Sequence, residues 1–414
     1  MDLKVNGRKL SGSVKAIPSK SQAHRLLICA ALADRAGKVF CPAVNEDIIA
    51  TARCLSSLGA KIERSGDYFH VQPISKAARA ELDCGESGST LRFLLPVACA
   101  LGADATFTGH GRLPDRPMAE LCGALRSGGA NVSADRLPVS VSGGLKAGTY
   151  RLPSKVSSQY ISGLLFAFPL TDGDCTVELD GRPESEPYID MTVSALEAFG
   201  ISVIRRDTSY EIPGGQRYRS PGEVFVEGDW SNAAFWLCAG AIGSGDLRCT
   251  GLDAASRQGD KAVAGLLRCF GADVREKNGE VTVRPSRLHG IEIDAGDIPD
   301  LVPVLAVTAA AAEGDTRIYN AGRLRLKESD RIASTAALLR ALGANADETD
   351  DGLVIHGGGL HGGTVDSFGD HRIAMAAATA ACACGDVEII GAEAVNKSYP
   401  GFFEDFMALG GAVK

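Results

Sequence analysis

Apolar and polar positions along the 414-residue chain follow one cycle that recurs six times. A run of apolar residues at helical period ends in a glycine, usually within Leu-Gly-Ala or a close relative, and a short alternating stretch follows. The glycines are Gly59, Gly129, Gly200, Gly271, Gly343 and Gly410, spaced 67 to 72 residues apart. Spacing this even marks an internal repeat. Each glycine stands where a helix must stop, because the left-handed conformation that closes a helix is free of steric cost only without a Cβ. The stretch after it predicts a hairpin. In the fourth copy Asp273 to Arg275 is one strand, Asn278-Gly279 the turn, and Val281 to Val283 the return; in the fifth, Asp351-Gly352 turns into Leu353 to Ile355.

The sixth copy stops at Lys414, four residues past its glycine, and so lacks a second strand. Met1 to Lys15, with an Asn6-Gly7 turn and alternating Leu3, Val5, Leu10 and Val14, predicts a hairpin that supplies it. The first and last segments then share a domain. Residues 1–16 and 228–414 form one domain and 17–227 the other, with crossings near 16–18 and 226–228.

A second regularity lies inside the first. Between 38 and 43 residues before each glycine, a helix opens on polar or charged residues: Lys20-Ser21, Gly88-Ser89-Thr90, Ser157-Ser158-Gln159, Asp229 to Asn232, Asp297 to Asp300, and Gly369 to Arg372. Any one of these reads as an ordinary cap. Six in equivalent positions would point the same way, and each helix start offers unpaired N–H groups and about half a positive charge. Such a surface suits anions.

Basic residues sharpen this reading. Lys20, Arg25, Arg92 and Arg372 accompany helix starts; Arg116 precedes Pro117 at another predicted entrance; Lys327 and Arg331, four apart, share a predicted helical face. A lone Lys or Arg is usually solvated surface. In a chain of net charge −8, cations gathered at helix starts suit a ligand with several negative groups, such as phosphates and carboxylates. The same net charge argues against general nucleic-acid binding. No apolar run approaches the roughly 20 residues that span a bilayer, and Leu301 to Ala312 reads as a buried Ala-rich helix. Twelve cysteines without Cys-x-x-Cys spacing suit reduced thiols in a cytoplasmic protein, and seven histidines show no metal-ligand spacing.

PSKSQAHR, GESGSTLRF, LPDRPM, KVSSQY, SEPYID, IPD, LKESDR, GDHRIAM and NKSYPGFF occur in that order along the chain. Together they make it resemble the enolpyruvyl transferases over its whole length. The resemblance implies an α/β fold (α+β by some schemes) of two domains. Each is built of three βαβαββ units, an inside-out α/β barrel, and two strands hinge the domains so that they close over substrates. It also implies a monomer without cofactor or metal that joins phosphoenolpyruvate to the 5-hydroxyl of shikimate 3-phosphate, releasing phosphate through a tetrahedral ketal. That reaction serves aromatic amino-acid biosynthesis.

Carried onto matching positions, the family's shikimate 3-phosphate contacts fall on Lys20, Ser21, Arg25, Ser157, Ser158, Gln159, Ser185, Tyr188, Asp300 and Lys327. The phosphoenolpyruvate contacts fall on Lys20, Gly88, Arg116, Gln159, Arg331, Arg372 and Lys397. Asp300 matches the proton acceptor, with a helix cap as its plainer role; Glu328 and Lys20 are both candidates for moving the methylene proton. Two positions depart from the pattern. Glu86 stands where many members have Asn, and is expected to be turned away or paired with a cation; Arg323 stands where some have Asn.

Two alternatives compete. The sister activity on UDP-N-acetylglucosamine goes with Lys-Asn at the first helix start and a reactive Cys before the Arg-Pro. Here Ser21 follows Lys20, Gly109 to Pro117 holds no Cys, and Cys122 reads as a core thiol. A non-catalytic anion-binding scaffold would not need Asp300, Glu328 and Lys20 together.

Overall fold

The computed structural model describes residues 1–77 and 79–414. All six helix-stop glycines have positive φ, from 77° at Gly200 to 114° at Gly59. The described residues form twelve α-helices and six four-stranded sheets, and every sheet has the same internal order. In the fourth, Gly12–Lys15 runs parallel to Leu247–Thr250, which pairs antiparallel with Glu280–Arg284, and Asp273–Lys277 closes the edge. Asn278 and Gly279, at φ 52° and 76°, make the predicted turn, whose handedness matches the twist of the strands it joins.

Two hairpin expectations are corrected. In the fifth copy Thr349 faces Gly352, so Asp350 and Asp351 make the turn. Gly352 serves close approach instead, since a Cβ there would lie 1.9 Å from the Ile318 carbonyl oxygen. At the N-terminus, Leu3–Asn6 does complete the sixth sheet, between Asp386–Ile390 and Ala412–Val413. The following strand, Gly12–Lys15, does not fold back on it and belongs to the fourth sheet. Gly7 presses on a neighbouring helix, where a Cβ would meet Cys382 Sγ at 2.7 Å, so Asn6-Gly7 is not free to make a two-residue turn.

Contacts gather the described residues into two units, Met1–Ile17 with Glu227–Lys414, and Pro18–Val226. In Pro18–Val226 the helices are α1 (Lys20–Leu32), α2 (Glu46–Ser57), α3 (Gly88–Ala100), α4 (Ala119–Ser127), α5 (Ser158–Ala167) and α6 (Glu186–Ala198). In the other unit they are α7 (Trp230–Ile242), α8 (Ala262–Phe270), α9 (Val302–Ala310), α10 (Arg331–Ala341), α11 (His371–Cys384) and α12 (Phe402–Ala408). Alternate helices are central. Every residue of α9 is buried, as are all of α7 but Ile242 and all of α11 but Ala383, which accounts for their Ala-rich composition. Helices α1, α3 and α5 hold the same place in Pro18–Val226. There Pro96 leaves the Arg92 carbonyl without its helical N–H, and Gly163 of α5 lies against that carbonyl, where a Cβ would approach to 2.2 Å. The outer helices bury one face only, as in α8, where Val263, Ala264, Leu267 and Phe270 point inward.

Candidate active site

Five of the six inner helices begin with a side-chain cap: Ser19, Ser87, Ser157, Asp229 and Asp370. The sixth, α9, is entered through a single 3-10 turn, Pro299–Leu301, with no side-chain cap. Asp300 therefore does not cap a helix, and its carboxylate is bound elsewhere.

Within Pro18–Val226, Lys20 Nζ lies 2.9 Å from Asp47 Oδ2, each side chain 18% exposed. Arg25 is buried and donates to the Ser21 carbonyl at 2.6 Å, the Tyr188 carbonyl at 2.7 Å and Thr192 Oγ1 at 2.9 Å, with its guanidinium 5.1 Å from the Phe93 ring centroid. Burial pulls its pKa down to about 10. Arg25 thus ties α1 to α6. Gly88 opens α3 beneath Arg116, since a Cβ on Gly88 would lie 2.8 Å from Arg116 Nη1. Arg116 itself follows the 3-10 turn Leu113–Asp115, and α4 begins only at Ala119, two residues later than Pro117 predicts.

Arg92, absent from the predicted contact sets, donates to Gln159 Oε1 at 2.7 Å and to the Pro117 carbonyl at 3.1 Å; Gln159 Nε2 donates to Ser89 Oγ at 2.9 Å. These bonds join the starts of α3 and α5. Its place one turn after Gly88 was the available signal. Ser157 Oγ accepts from the Gln159 N–H, and Ser158 is buried behind it. Ser185 is buried at φ 54°, an unusual region for a residue with a Cβ, immediately before α6. The Glu86 carboxylate is turned against the loop at Gly111, where a Cβ would lie 2.6 Å from Oε2.

The other unit concentrates charge on Asp300. Arg331 Nη1 lies 2.8 Å and Lys327 Nζ 3.5 Å from its Oδ1; Arg372 Nη2 lies 2.9 Å from Oδ2, and Arg372 Nη1 donates to the Asp300 carbonyl at 3.1 Å. Arg331 is held further by Asp370, 2.8 Å from Nε, and by Glu328, 2.6 Å from Nη2. Asp370 also caps α11 and accepts from Ser329 Oγ at 3.0 Å. Lys327 and Arg331 do not share a helical face. Asp330 caps α10, which starts at Arg331, while Lys327 is extended after the 3-10 turn Gly322–Leu326. Lys397 donates to the Gly369 carbonyl at 2.9 Å, and Arg323 to the Gly296 carbonyl at 3.0 Å.

Burial pushes the Asp300 carboxyl up, but Arg372, Lys327 and Arg331 outweigh it and hold the group well below the usual carboxylate range. Asp260, which no sequence motif singled out, is buried beside Ser231; burial and the Asp300 charge push it up to about 6, against the pull of Arg372. Among the described residues no group of three or more His, Cys, Asp or Glu is placed to hold a metal ion, and no helix is long and apolar enough to cross a membrane. Cys122 lies in the core of α4, its thiol pushed up to about 11 by burial.

Comparison with known proteins agrees along the full length. The family described as EPSP synthase (3-phosphoshikimate 1-carboxyvinyltransferase) matches residues 5–406. The chain is 43% identical to the 3-phosphoshikimate 1-carboxyvinyltransferase of Clostridium kluyveri, over 99% of this chain and 97% of that protein. It is 41% identical to that of Clostridium acetobutylicum, over 99% and 98%. The solved structure of EPSP synthase from Acinetobacter baumannii superposes with a TM-score of 0.84 at 28% identity, covering both chains completely. With these matches joined to six βαβαββ-like copies and to a carboxylate ringed by cations, the chain belongs to the EPSP synthase family and is a transferase.

Proposed function

We propose that this chain transfers the enolpyruvyl group of phosphoenolpyruvate to the 5-hydroxyl of shikimate 3-phosphate, releasing inorganic phosphate. The observation that carries the chemistry is the half-buried Asp300 carboxylate set among Arg331, Arg372 and Lys327. The substrates together bring two phosphates and two carboxylates, and fixed cations with helix starts are the means to hold them. Lys20, Ser21, Arg25, Ser157, Ser158, Gln159, Ser185, Tyr188, Asp300 and Lys327 are assigned to shikimate 3-phosphate. Lys20, Gly88, Arg116, Gln159, Arg331, Arg372 and Lys397 are assigned to phosphoenolpyruvate. Arg25 and Arg331 each bond within the protein through all three nitrogens, which fixes their guanidinium groups in place while leaving N–H donors for the assigned substrates.

In the addition step Asp300 accepts the 5-hydroxyl proton as that oxygen bonds to C2 of phosphoenolpyruvate, and an acid protonates C3. Elimination then breaks the bond from C2 to the phosphate oxygen and returns a proton from C3 to the protein. Glu328, bound to Arg331, and Lys20, bound to Asp47, are the two groups assigned to that proton. The protein is assigned to the cytoplasm, where its buried thiols stay reduced, and acts as a monomer.

The test is phosphate release. Mixing the protein with shikimate 3-phosphate and phosphoenolpyruvate should liberate phosphate in step with loss of phosphoenolpyruvate, the enol phosphate donor. Release only when UDP-N-acetylglucosamine replaces shikimate 3-phosphate would move the assignment to the sister activity, and release with neither would favour an anion-binding scaffold.

A further inference from the structure

A base is useful only if it can take a proton, yet three cations hold Asp300 as a weak base. The cations are not equivalent. Arg331 is 1% exposed, and its nitrogens are shared among the carboxylates of Asp300, Glu328 and Asp370, so withdrawing it would strand the fully buried Asp370 and two half-buried carboxylates at once. Lys327 reaches Asp300 at 3.5 Å from a side chain that is 26% exposed. Arg372, itself 4% exposed, holds Asp300 by Nη2 to the carboxylate and Nη1 to the carbonyl from the start of α11, where Asp370 accepts its backbone N–H. Lys327 and Arg372 are also among the groups assigned above to anionic substrate.

We propose that Lys327 and Arg372 form an exchangeable lock on Asp300, which an incoming phosphate or carboxylate opens by drawing both cations onto itself while Arg331 stays fixed. Asp300 becomes an effective base only with an anionic substrate in place. This rests on the reading of Asp300 as proton acceptor. The groups facing Asp300 are Arg331 and Glu328 beside the start of α10, Lys327 before it, Arg372 of α11, and Asp260 of the 3-10 turn Gly259–Lys261; Asp370 and His371 stand behind Arg331. Arg331, Arg372 and Lys327 are met by Asp300, Glu328 and Asp370, with Asp260 a fourth carboxyl beside them, a balance without surplus positive charge. A bound phosphate breaks that balance in the direction that returns proton affinity to Asp300 and Asp260.

The experiment follows the carboxyl carbon of Asp300 by NMR in the full chain labelled with 13C-aspartate, the signal being assigned by its loss in Asp300→Asn. Its titration midpoint should rise by about 1 pH unit or more when inorganic phosphate or phosphoenolpyruvate saturates the protein. In Lys327→Met and Arg372→Gln the midpoint should already be raised without ligand and respond less to it; having both variants guards against one that folds poorly. A midpoint unmoved by either anion, whether or not calorimetry detects binding, overturns the lock. Loss of the lock in a protein that still releases phosphate from the two substrates would leave the assigned reaction standing. A working lock without transfer would remove the reaction instead.

Discussion

Asp300 joins two demands that pull in opposite directions, structural compensation and catalysis, and its replacement separates them. Asp300→Asn removes the proton acceptor, so kcat should fall by about 10²- to 10⁴-fold. It also leaves Arg331, Arg372 and Lys327 facing a neutral amide, so the ligand-free protein should melt lower and recover more of that loss in phosphate than the parent does. Equal melting shifts for the two proteins in phosphate would contradict the reading. Asp260 gives a second, signed prediction. Its folded pKa of about 6 lies above the unfolded value of about 3.9, so the protein loses stability as pH rises between those values. Asp260→Asn, free of that loss, should be more stable than the parent by about 1–3 kcal/mol at pH 7 to 8, with the gap closing below about pH 4, as measured by denaturant unfolding across pH. The resemblance named Asp300 as proton acceptor and the three cations as substrate contacts, but neither their bonds to Asp300 nor Asp260 was legible in sequence. Lys327, Arg331 and Arg372 come to Asp300 from 27, 31 and 72 positions away, and only the fold decides that they meet.

At the scale of elements, the helix ends were readable because they are local chemistry: a serine or aspartate cap before the first turn and a glycine after the last. The same logic misled where spacing imitates a helix. Lys327 and Arg331 are four apart, but Asp330 between them is itself the cap that starts α10. Behind the caps of α1 and α3 runs a buried chain that no motif revealed. His24 Nδ1 lies 2.7 Å from Thr51 Oγ1, which lies 2.6 Å from Thr90 Oγ1, and Thr90 Oγ1 donates to Ser87 Oγ at 2.8 Å. Since Thr90 donates onward, it accepts from Thr51, and Thr51 accepts from His24. The ring is therefore the neutral Nδ1–H tautomer, consistent with a pKa held well below the ordinary value by burial, Lys20 and Arg25. Thr51→Val keeps the shape but strands the His24 donor and the Thr90 oxygen, and should cost about 1–3 kcal/mol; Thr51→Ser should restore most of it. Nitrogen NMR of His24 should show the Nδ1–H form in the parent and in Thr51→Ser. An Nε2–H ring in the parent would refute the assigned direction.

At the scale of the whole chain, counting six copies was enough to see that the last needed a strand from elsewhere, because a four-strand unit with three strands advertises its gap. Which strand fills which gap was only half legible, since partner choice between sheets is settled by packing far along the sequence. The segment Pro18–Val226 contains every strand of its own three sheets, Glu223–Phe225 included. The other unit needs both ends of the chain: Leu3–Asn6 lies between two C-terminal strands, the Lys4 N–H and carbonyl exchange bonds with Lys414, and Val5, 1% exposed, sits opposite Val387 and Val413. Removing residues 1–6 should therefore act at the far end of the sequence. Burial of Val5 alone contributes about 1.5–3 kcal/mol, and the ladder bonds on both of its sides go with it. Hydrogen exchange should speed up at the amides of Asp386–Ile390 and Ala412–Val413, while amides of the Gly37–Phe40 and Tyr68–Gln72 strands keep their parental rates. Unchanged protection at Val387 and Ile389 would mean that the sixth sheet closes without its N-terminal strand, and slowed or hastened exchange confined to Pro18–Val226 would place the strand's effect in the wrong unit.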